Sequence, residues 1–167
     1  MATADITLSP ARLKDAETIA VMSRDLIESG LGWEYRPQRI AEFIVDRNAV
    51  TLVAHGGARC AGFAVMTFGD ERAHLVLLAV HPRYRRRGVG SRMLAWLLDS
   101  ARTAGLSSVH LELLDDNAAA RGFYRALGFT ETVRLPGYYR GRKAAMRMIL
   151  VLRVPGMIVP AWVPPPR

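Results

Sequence analysis

Cysteine is almost absent from this sequence, which limits both the covalent and the metal chemistry open to the chain. Cys60 is the only cysteine, so an internal disulfide and every zinc cluster built from cysteines are excluded. The four histidines show neither HxxxH nor HExxH spacing. Because a zinc site needs several such ligands close together, no metal site is expected.

Long apolar runs are absent as well. No run reaches the roughly 18 residues that a membrane-spanning helix needs, and the N-terminus MATADITLSP has no basic region followed by an apolar core. We therefore expect neither a membrane span nor a secretion signal, and a cytoplasmic location. The chain has 167 residues, 50% of them hydrophobic, and is predicted to form one domain over residues 1–153. Residues 154–167 are rich in proline and are expected to form an extended or disordered tail.

Lysine is scarce, although the chain is strongly basic. The net charge of +8 comes almost wholly from arginine, since Lys14 and Lys143 are the only lysines. Such a charge permits binding to nucleic acid or another polyanion. Most of the arginines are scattered, which is equally consistent with solvated surface charge, and the alternation of aromatic and basic residues typical of single-strand binders does not occur. Nucleic acid is therefore not expected as a partner.

A strand, a basic glycine-bearing loop and a helix follow one another in the middle of the chain. Residues 75–80 form an apolar run of strand length, residues 85–90 read RRRGVG, and an amphipathic helix follows. The first turn of a helix has unpaired N–H groups and a partial positive charge, so it attracts anions. Gly88 and Gly90 allow close approach to the backbone, and arginines bind phosphate oxygens. A phosphorylated ligand is indicated.

Two nucleotide-binding motifs can be excluded for this loop. A P-loop would need Lys and Ser or Thr after its second glycine, and the dinucleotide pattern GxGxxG would need glycine in place of Met93. The phosphorylated ligand is therefore expected to be recognised in another way.

The other elements follow from hydrophobic spacing and from turn residues. We predict a first strand from Ile6, a helix from Asp15 to Gly30, and a shorter helix beginning at Pro37. Residues 49–55 and 60–68 read as a hairpin around Gly56-Gly57. Residues 108–114 are predicted to run parallel to residues 75–80, because a helix separates the two strands.

Glu112 is a carboxylate in an otherwise apolar strand. Val109, Leu111 and Leu113 share one face of that strand, and Glu112 lies on the other. Two interpretations remain open: an ion pair with one of the arginines, or a general base whose pKa is raised by partial burial.

The segment after this strand carries two further candidates. Asn117 is a plausible N-cap of a short helix, and Gly128 is a plausible C-terminal stop. Tyr124 lies within that helix, where its phenol either packs on the sheet or protonates a leaving thiolate.

Two aromatic residues lie in the loop between the first two helices. Trp33 and Tyr35 could shape a substrate pocket, or they could be tucked onto the core. The sequence leaves both interpretations open.

Two motifs, in this order, resemble the GNAT superfamily of N-acetyltransferases. The first is the [RQ]xxGxG pattern that Arg85 begins, and the second is NxxAxxFYxxLGF, which Asn117 begins. The resemblance covers residues 6–152. It implies a mixed α/β fold with a mostly antiparallel central sheet, a splayed parallel strand pair, and helices on both faces.

The resemblance also implies a role for individual residues. Glu112 would deprotonate the acceptor ammonium, and Tyr124 would protonate the coenzyme A thiolate, in a direct transfer within a ternary complex. Acetyl-CoA would be held by Leu78, Ala79, Val80, Arg85, Arg86, Arg87, Gly88, Val89, Gly90, Ser91, Asn117 and Tyr124. The substrate-binding candidates are Trp33, Tyr35, Tyr138 and Tyr139. No metal is implied.

Within the superfamily, Leu111-Glu112-Leu113 and the paired Tyr138-Tyr139 look like the branch of ribosomal-protein alanine N-acetyltransferases, the RimI-like enzymes. That branch usually carries an acidic residue shortly after its paired tyrosines, whereas residues 140–143 here read RGRK. A basic rim would repel polyamines and aminoglycosides and favour acceptors with a carboxylate or phosphate nearby.

We therefore expect an acetyl-CoA-dependent N-acetyltransferase that acts on the primary amine of a small metabolite or amino acid. One alternative is a RimI-like enzyme for protein N-termini. An alternative of another class is a non-catalytic acyl-CoA sensor or a basic nucleic-acid-binding module. The expected partners are acetyl-CoA and the amine acceptor, with a second copy of the chain, as a homodimer, as a further candidate.

Overall fold

The computed structural model describes residues 5–153, which form seven strands and four α-helices. In chain order these are β1 (Ile6–Pro10), α1 (Ala16–Leu26), α2 (Pro37–Val45), β2 (Ala49–Gly56), β3 (Arg59–Phe68), β4 (Arg72–Val80), α3 (Val89–Thr103), β5 (Ser108–Leu114), α4 (Ala118–Ala126), β6 (Thr130–Tyr139) and β7 (Lys143–Val151). Short 3₁₀ turns precede α1 and follow β4. The predicted tail at residues 154–167 lies outside the described residues.

All seven strands belong to one sheet, in the order β1-β2-β3-β4-β5-β7-β6. Every neighbouring pair is antiparallel except β4 and β5, which are parallel. This confirms the predicted fold class, including the parallel pair. The last strand, β7, lies between β5 and β6, so the C-terminal hairpin packs with its second strand inward.

The parallel pair separates soon after it forms. β4 and β5 pair only at three positions, the last of which joins His74 to His110. Two residues further on, Val76 is an extra residue of β4 opposite β3, since Met66 pairs with Leu75 and Val65 pairs with Leu77. Such a bulge bends its strand. Beyond the bulge, β4 keeps β3 as its partner and leaves β5, which opens a cleft between the two strands.

The bulge also changes which face each side chain of β4 uses. Leu75 packs with the cluster under α3 and α4, and Leu77 packs with the cluster under α1 and α2, although two residues apart would normally share a face. Helices therefore cover both faces of the sheet, as expected. None of the helices in residues 5–153 is long and apolar enough to cross a bilayer.

Two predicted boundaries are displaced. The β2–β3 turn consists of Gly57 and Ala58, because Gly56 is still paired with Arg59 in the sheet. A Cβ on Gly56 would lie 2.5 Å from Cε1 of Tyr84, so this glycine is required for packing against that ring. Helix α1 ends at Leu26, before Gly30, which has a left-handed backbone in the following loop.

Candidate active site

A cavity of about 780 Å³ occupies the space between the separated strands. Its walls are the diverging parts of β4 and β5, the start of α3, one side of α4, and the end of α1 with the loop that follows. It is within the size range of small-molecule and cofactor sites. One continuous space thus joins the basic glycine loop to Glu112 and to Leu31.

At one end of the cavity lies the N-terminus of α3. Gly88 caps the helix with a left-handed backbone (φ 73°), and the first intrahelical bond is donated by Arg92 to the Gly88 carbonyl. The amides of the first helical turn therefore have no helical partner and are available to bind an anion. A Cβ on Gly90 would lie 3.3 Å from Cζ of Phe123, so this glycine also lets α3 approach α4 closely.

The three consecutive arginines have different environments. Arg85 donates from Nε to the Val80 carbonyl at 3.1 Å and lines the cavity, and Arg86, with a φ of 61°, lines it too. Arg87 instead places its guanidinium over the ring of Tyr84, 5.6 Å from the centroid, and does not belong to the cavity lining. The role of Arg87 in cofactor binding thus stays a prediction without support from this geometry.

Asn117 and Tyr124 are brought to the cavity by α4. The Asn117 side chain accepts a hydrogen bond from the Ala120 amide at 3.1 Å, which confirms the predicted N-cap. Tyr124 is buried in edge-to-face contact with Phe123 and Phe129 and still lines the cavity. Burial raises the pKa of its phenol, so the hydroxyl keeps its proton at neutral pH. Such a group can act as an acid.

Glu112 lines the cavity from β5, and both of its carboxylate oxygens are hydrogen bonded. His74 Nε2 lies 2.7 Å from Oε2, and Arg147 donates from Nε to Oε1 at 3.0 Å. Burial, the largest single influence, acts to raise the pKa of Glu112, but the hydrogen bonds and charges of His74 and Arg147 together outweigh it and hold the pKa below its usual value. Of the two interpretations left open by the sequence, the ion pair with an arginine is present, and the raised pKa invoked for a general base is not found. The carboxylate is ionised at neutral pH.

His74, His110 and Glu112 bring three potential metal ligands within 4.8 Å of one another. The two imidazole rings are stacked, with centroids 4.5 Å apart and planes only 3° apart. An imidazole binds a metal through a lone pair in its ring plane, so parallel stacked rings cannot aim at one ion. Within the described residues, His74 and Glu112 are hydrogen bonded to each other, whereas Nδ1 of His110 is buried without a hydrogen-bond partner. Burial and the charge of His74 lower the pKa of His110, which is therefore neutral at neutral pH.

Three tyrosines of the predicted site lie in different positions relative to the other end of the cavity. Tyr139 lines it, and burial together with the neighbouring charges, including that of Glu112, raises the pKa of Tyr139. Tyr138 is half exposed and does not belong to the lining. Tyr35 packs at 6.2 Å from the Phe43 ring, and burial raises its pKa to about 12. All three phenols are protonated and can serve as hydrogen-bond donors.

Trp33 is held against the core. Its indole nitrogen donates to the Ala20 carbonyl at 3.2 Å, and the guanidinium groups of Arg24 and Arg36 lie over the ring at 5.2 and 5.0 Å. Neither Trp33 nor Tyr35 belongs to the cavity lining. The interpretation of Trp33 as a residue tucked onto the core is thus the one that its contacts support, and the substrate-binding role stays a prediction.

Glu28 is a buried carboxylate that shapes the loop between α1 and α2. It accepts hydrogen bonds from the hydroxyl of Ser23 at 2.9 Å and from the amides of Glu34 and Tyr35 at 2.7 and 3.1 Å. Three donors on one buried carboxylate fix the loop relative to α1. The loop is therefore a defined wall of the site.

Several residues of the site were not identified from the sequence. His74 and Arg147 lie on strands other than that of Glu112, and nothing in their spacing connects them. The lining residues at the end of α1 (Leu26, Ile27, Ser29 and Leu31) look like ordinary core and turn residues. In contrast, the residues predicted at the end of β4, from Leu78 to Val80, all line the cavity, and so do those predicted at the start of α3, from Gly88 to Ser91.

A comparison with protein families decides what this arrangement is. The acetyltransferase (GNAT) family model matches residues 20–129, which include the anion loop, Glu112 and Tyr124. The chain belongs to the GNAT family. This confirms the resemblance on which the fold prediction rested.

Relatives within the GNAT family are similar over different lengths. The ribosomal protein bS18-alanine N-acetyltransferase of Salmonella typhimurium is 37% identical over 95 residues, which are 55% of this chain and 64% of that protein, so the match spans less than two thirds of the relative. The crystal structure of the ribosomal-protein-S18-alanine N-acetyltransferase from Escherichia coli matches with a TM-score of 0.76 and 26% identity, over 93% of this chain and 99% of that one. Ard1 from Thermoplasma volcanium matches with a TM-score of 0.78 and 28% identity, over 89% and 99% of the two chains.

Proposed function

We propose that this protein is an acetyl-CoA-dependent N-acetyltransferase and that its acceptor is the α-amine of a polypeptide N-terminus. The observation that carries the proposal is the continuous cavity, which joins the N-terminus of α3, an ionised carboxylate and a far end lined by Leu31 and Tyr139. Two ligands can thus meet inside the sheet. Membership of the GNAT family supports the choice of acetyl-CoA as one of them.

The residues present fit this cosubstrate. The amides of Gly90 and its neighbours, with the guanidinium groups of Arg85 and Arg86, would hold the pyrophosphate. Among residues 5–153, no strand pairs with the cleft side of β4 from Leu78 to Val80. Apart from the Val80 carbonyl, which accepts from Arg85, the backbone groups on that edge are therefore open to an amide-bearing arm. Acetyl-CoA supplies the activated acyl group as a thioester.

The side chains of the cavity have complementary protonation states for this reaction. Glu112 is ionised and would take a proton from the acceptor ammonium, directly or through water. The free amine then attacks the thioester carbonyl, and the carbon–sulfur bond breaks. Tyr124 keeps its proton and would give it to the departing thiolate. The net products are the acetylated amine, the free thiol and one proton released to solvent.

A polypeptide acceptor is favoured over a small metabolite by two considerations. The small-molecule expectation rested on a loop with Trp33 and Tyr35 that closes over a compact pocket, but the Trp33 indole is bonded to α1. Two of the three relatives described above, by their names, acetylate the alanine of a ribosomal protein. These considerations support an N-terminal α-amine as the acceptor.

The test is an assay of acetyl-CoA-dependent thiol release with three sets of acceptors: peptides with free Ala, Ser or Gly ends, free amino acids, and polyamines. Mass spectrometry of the products then locates the acetyl group. Acetylation at the α-amine of peptides is expected. Turnover with free amino acids alone would show that the acceptor is a small metabolite rather than a peptide. Saturable binding of acetyl-CoA without turnover of any acceptor would favour the non-catalytic acyl-CoA sensor.

A further inference from the structure

The connection between β6 and β7 is a tight turn that carries the positively charged side chain of Arg140. Gly137, Arg140 and Gly141 all have left-handed backbones, with φ values of 66°, 51° and 71°. The amide of Gly141 donates to the Gly137 carbonyl at 2.9 Å, and that of Arg142 donates to the Tyr139 carbonyl at 3.0 Å. A non-glycine residue rarely adopts such a backbone. The backbone of Arg140 is therefore constrained, which limits the directions in which its side chain can extend.

The guanidinium of Arg140 rests on the opposite loop. A Cβ on Gly32 would lie 2.6 Å from Cζ of Arg140 and 2.8 Å from Nη2, so the group fits there only because residue 32 is a glycine. The chain neighbours on both sides of this contact, Leu31 and Tyr139, line the cavity. The contact thus places a positive charge at the mouth of the cavity, on the side away from the anion loop.

The described part of the chain does not neutralise this charge. Among residues 5–153, Arg140 has no carboxylate within ion-pair distance, and Arg142 and Lys143 beside it have none either. Glu34, the exposed carboxylate of the opposite loop, is not paired with it. In contrast, Arg121, Arg134 and Arg147 elsewhere in the C-terminal half are each paired with an acidic side chain.

We propose that Arg140 selects acceptors that carry a carboxylate close to the reacting amine. This proposal rests on the proposed function and specifies, in addition, the charge that the preferred acceptor carries. The ammonium of such an acceptor would point inward to Glu112, and its carboxylate would meet the guanidinium at the mouth. The fork of an arginine binds a carboxylate with two parallel hydrogen bonds. The carboxylate can come from an Asp or Glu that follows the N-terminal residue, or from the α-carboxylate of a free amino acid.

The experiment compares acceptors that differ in one charge. Peptides beginning Ala-Asp, Ala-Asn and Ala-Lys, otherwise identical and amidated at the C-terminus, test the side-chain source, and free alanine against alaninamide tests the α-carboxylate source. Because the ion pair is exposed, we expect a preference of about 5-fold in kcat/KM for the acidic member of a pair, expressed in KM. Arg140→Gln should remove the preference, and Arg140→Glu should turn it toward Ala-Lys.

A matched control and a second measurement separate the outcomes. Arg102→Gln, on the outer surface of α3 where Arg102 pairs with Asp99, should keep the wild-type preference. The KM for acetyl-CoA should be unchanged in Arg140→Gln. Turnover without any charge preference, or a preference that survives in Arg140→Gln, would overturn the role of Arg140 alone. Failure of the wild type to acetylate any acceptor would instead overturn the proposed function.

Discussion

His74 Nε2 lies 2.7 Å from Oε2 of Glu112, and His74 also forms, with His110, the last residue pair between β4 and β5. The side chain of Glu112 is 6% exposed and that of His74 is 34% exposed. The carboxylate that lines the cleft is therefore anchored to the point where the cleft begins. This arrangement places Glu112 through the sheet itself rather than through a mobile loop.

Glu112→Gln should lower kcat/KM by about 10²-fold or more while leaving its pH profile in place. The pKa of Glu112 is below its ordinary value, so the carboxylate is already ionised throughout the neutral range and does not titrate there. The rise of the rate with pH should instead report the acceptor α-ammonium, with a pKa of about 8. The measurement is kcat/KM between pH 5.5 and 9.5 for both proteins, using about half-unit steps. A rise that moves by a full unit in the variant would show that Glu112 titrates in this range.

His74→Asn should raise the pKa of Glu112. The hydrogen bond and charge of His74 are among the interactions that lower it, so their loss leaves burial less opposed. The carboxylate is stabilised above its unfolded-state pKa, and that stabilisation is lost as the pH falls through the folded-state pKa. The variant should therefore lose about 1–2 kcal/mol of stability at pH 7 and less in acid. Carbon-detected NMR titration of the carboxyl group measures the shift directly. His55→Asn, on β2, is the control, and an equal loss of stability there would remove the special role of His74.

Tyr124→Phe should reduce kcat by about 10²-fold or more with little change in acetyl-CoA affinity. The ring stays in contact with Phe123 and Phe129, so only the proton donor is lost. Stopped-flow thiol release gives kcat, and calorimetric titration with acetyl-CoA gives the affinity. If both proteins turn over at the same rate, the leaving thiolate is protonated by another group.

Glu28→Ala should loosen the loop that borders the acceptor end of the cavity. Three donors lose their common acceptor, two of them backbone amides, and we expect a loss of about 2–3 kcal/mol in the free energy of unfolding. The KM for the acceptor should rise more than that for acetyl-CoA. Glu17→Ala, on the exposed side of α1, should change neither quantity. Equal rises of both KM values would point to general destabilisation rather than to the loop.

The parts of the site that could be predicted from the sequence are those encoded over short distances along the chain. Gly88, Gly90 and Asn117 were found because a helix start depends on the few residues around it, and the structure gives each of them a local reason. The face of its strand on which Glu112 lies could be predicted in the same way, since strand residues two apart share a face.

What could not be predicted depends on contacts between distant strands. The interpretation of Glu112 as a base with a raised pKa considered only its burial in an apolar strand, whereas His74 and Arg147 reach it from β4 and β7 and lower the pKa. The order of β6 and β7 in the sheet has the same origin, and so does the contact of Arg140 with Gly32, which lies 108 positions earlier in the chain.

The extra residue at Val76 gives β4 its bend while the residues on either side keep their pairing with β3. A chain lacking Val76 would restore ordinary alternation, so Leu77 and Ala79 would stay on the α1 side of the sheet and Leu78 and Val80 on the α3 side. It would, however, remove the bulge and with it the bend that carries β4 away from β5. A single-codon deletion at this position should therefore be far more damaging than any substitution of Val76, because it would close the passage in which two reactants have to meet.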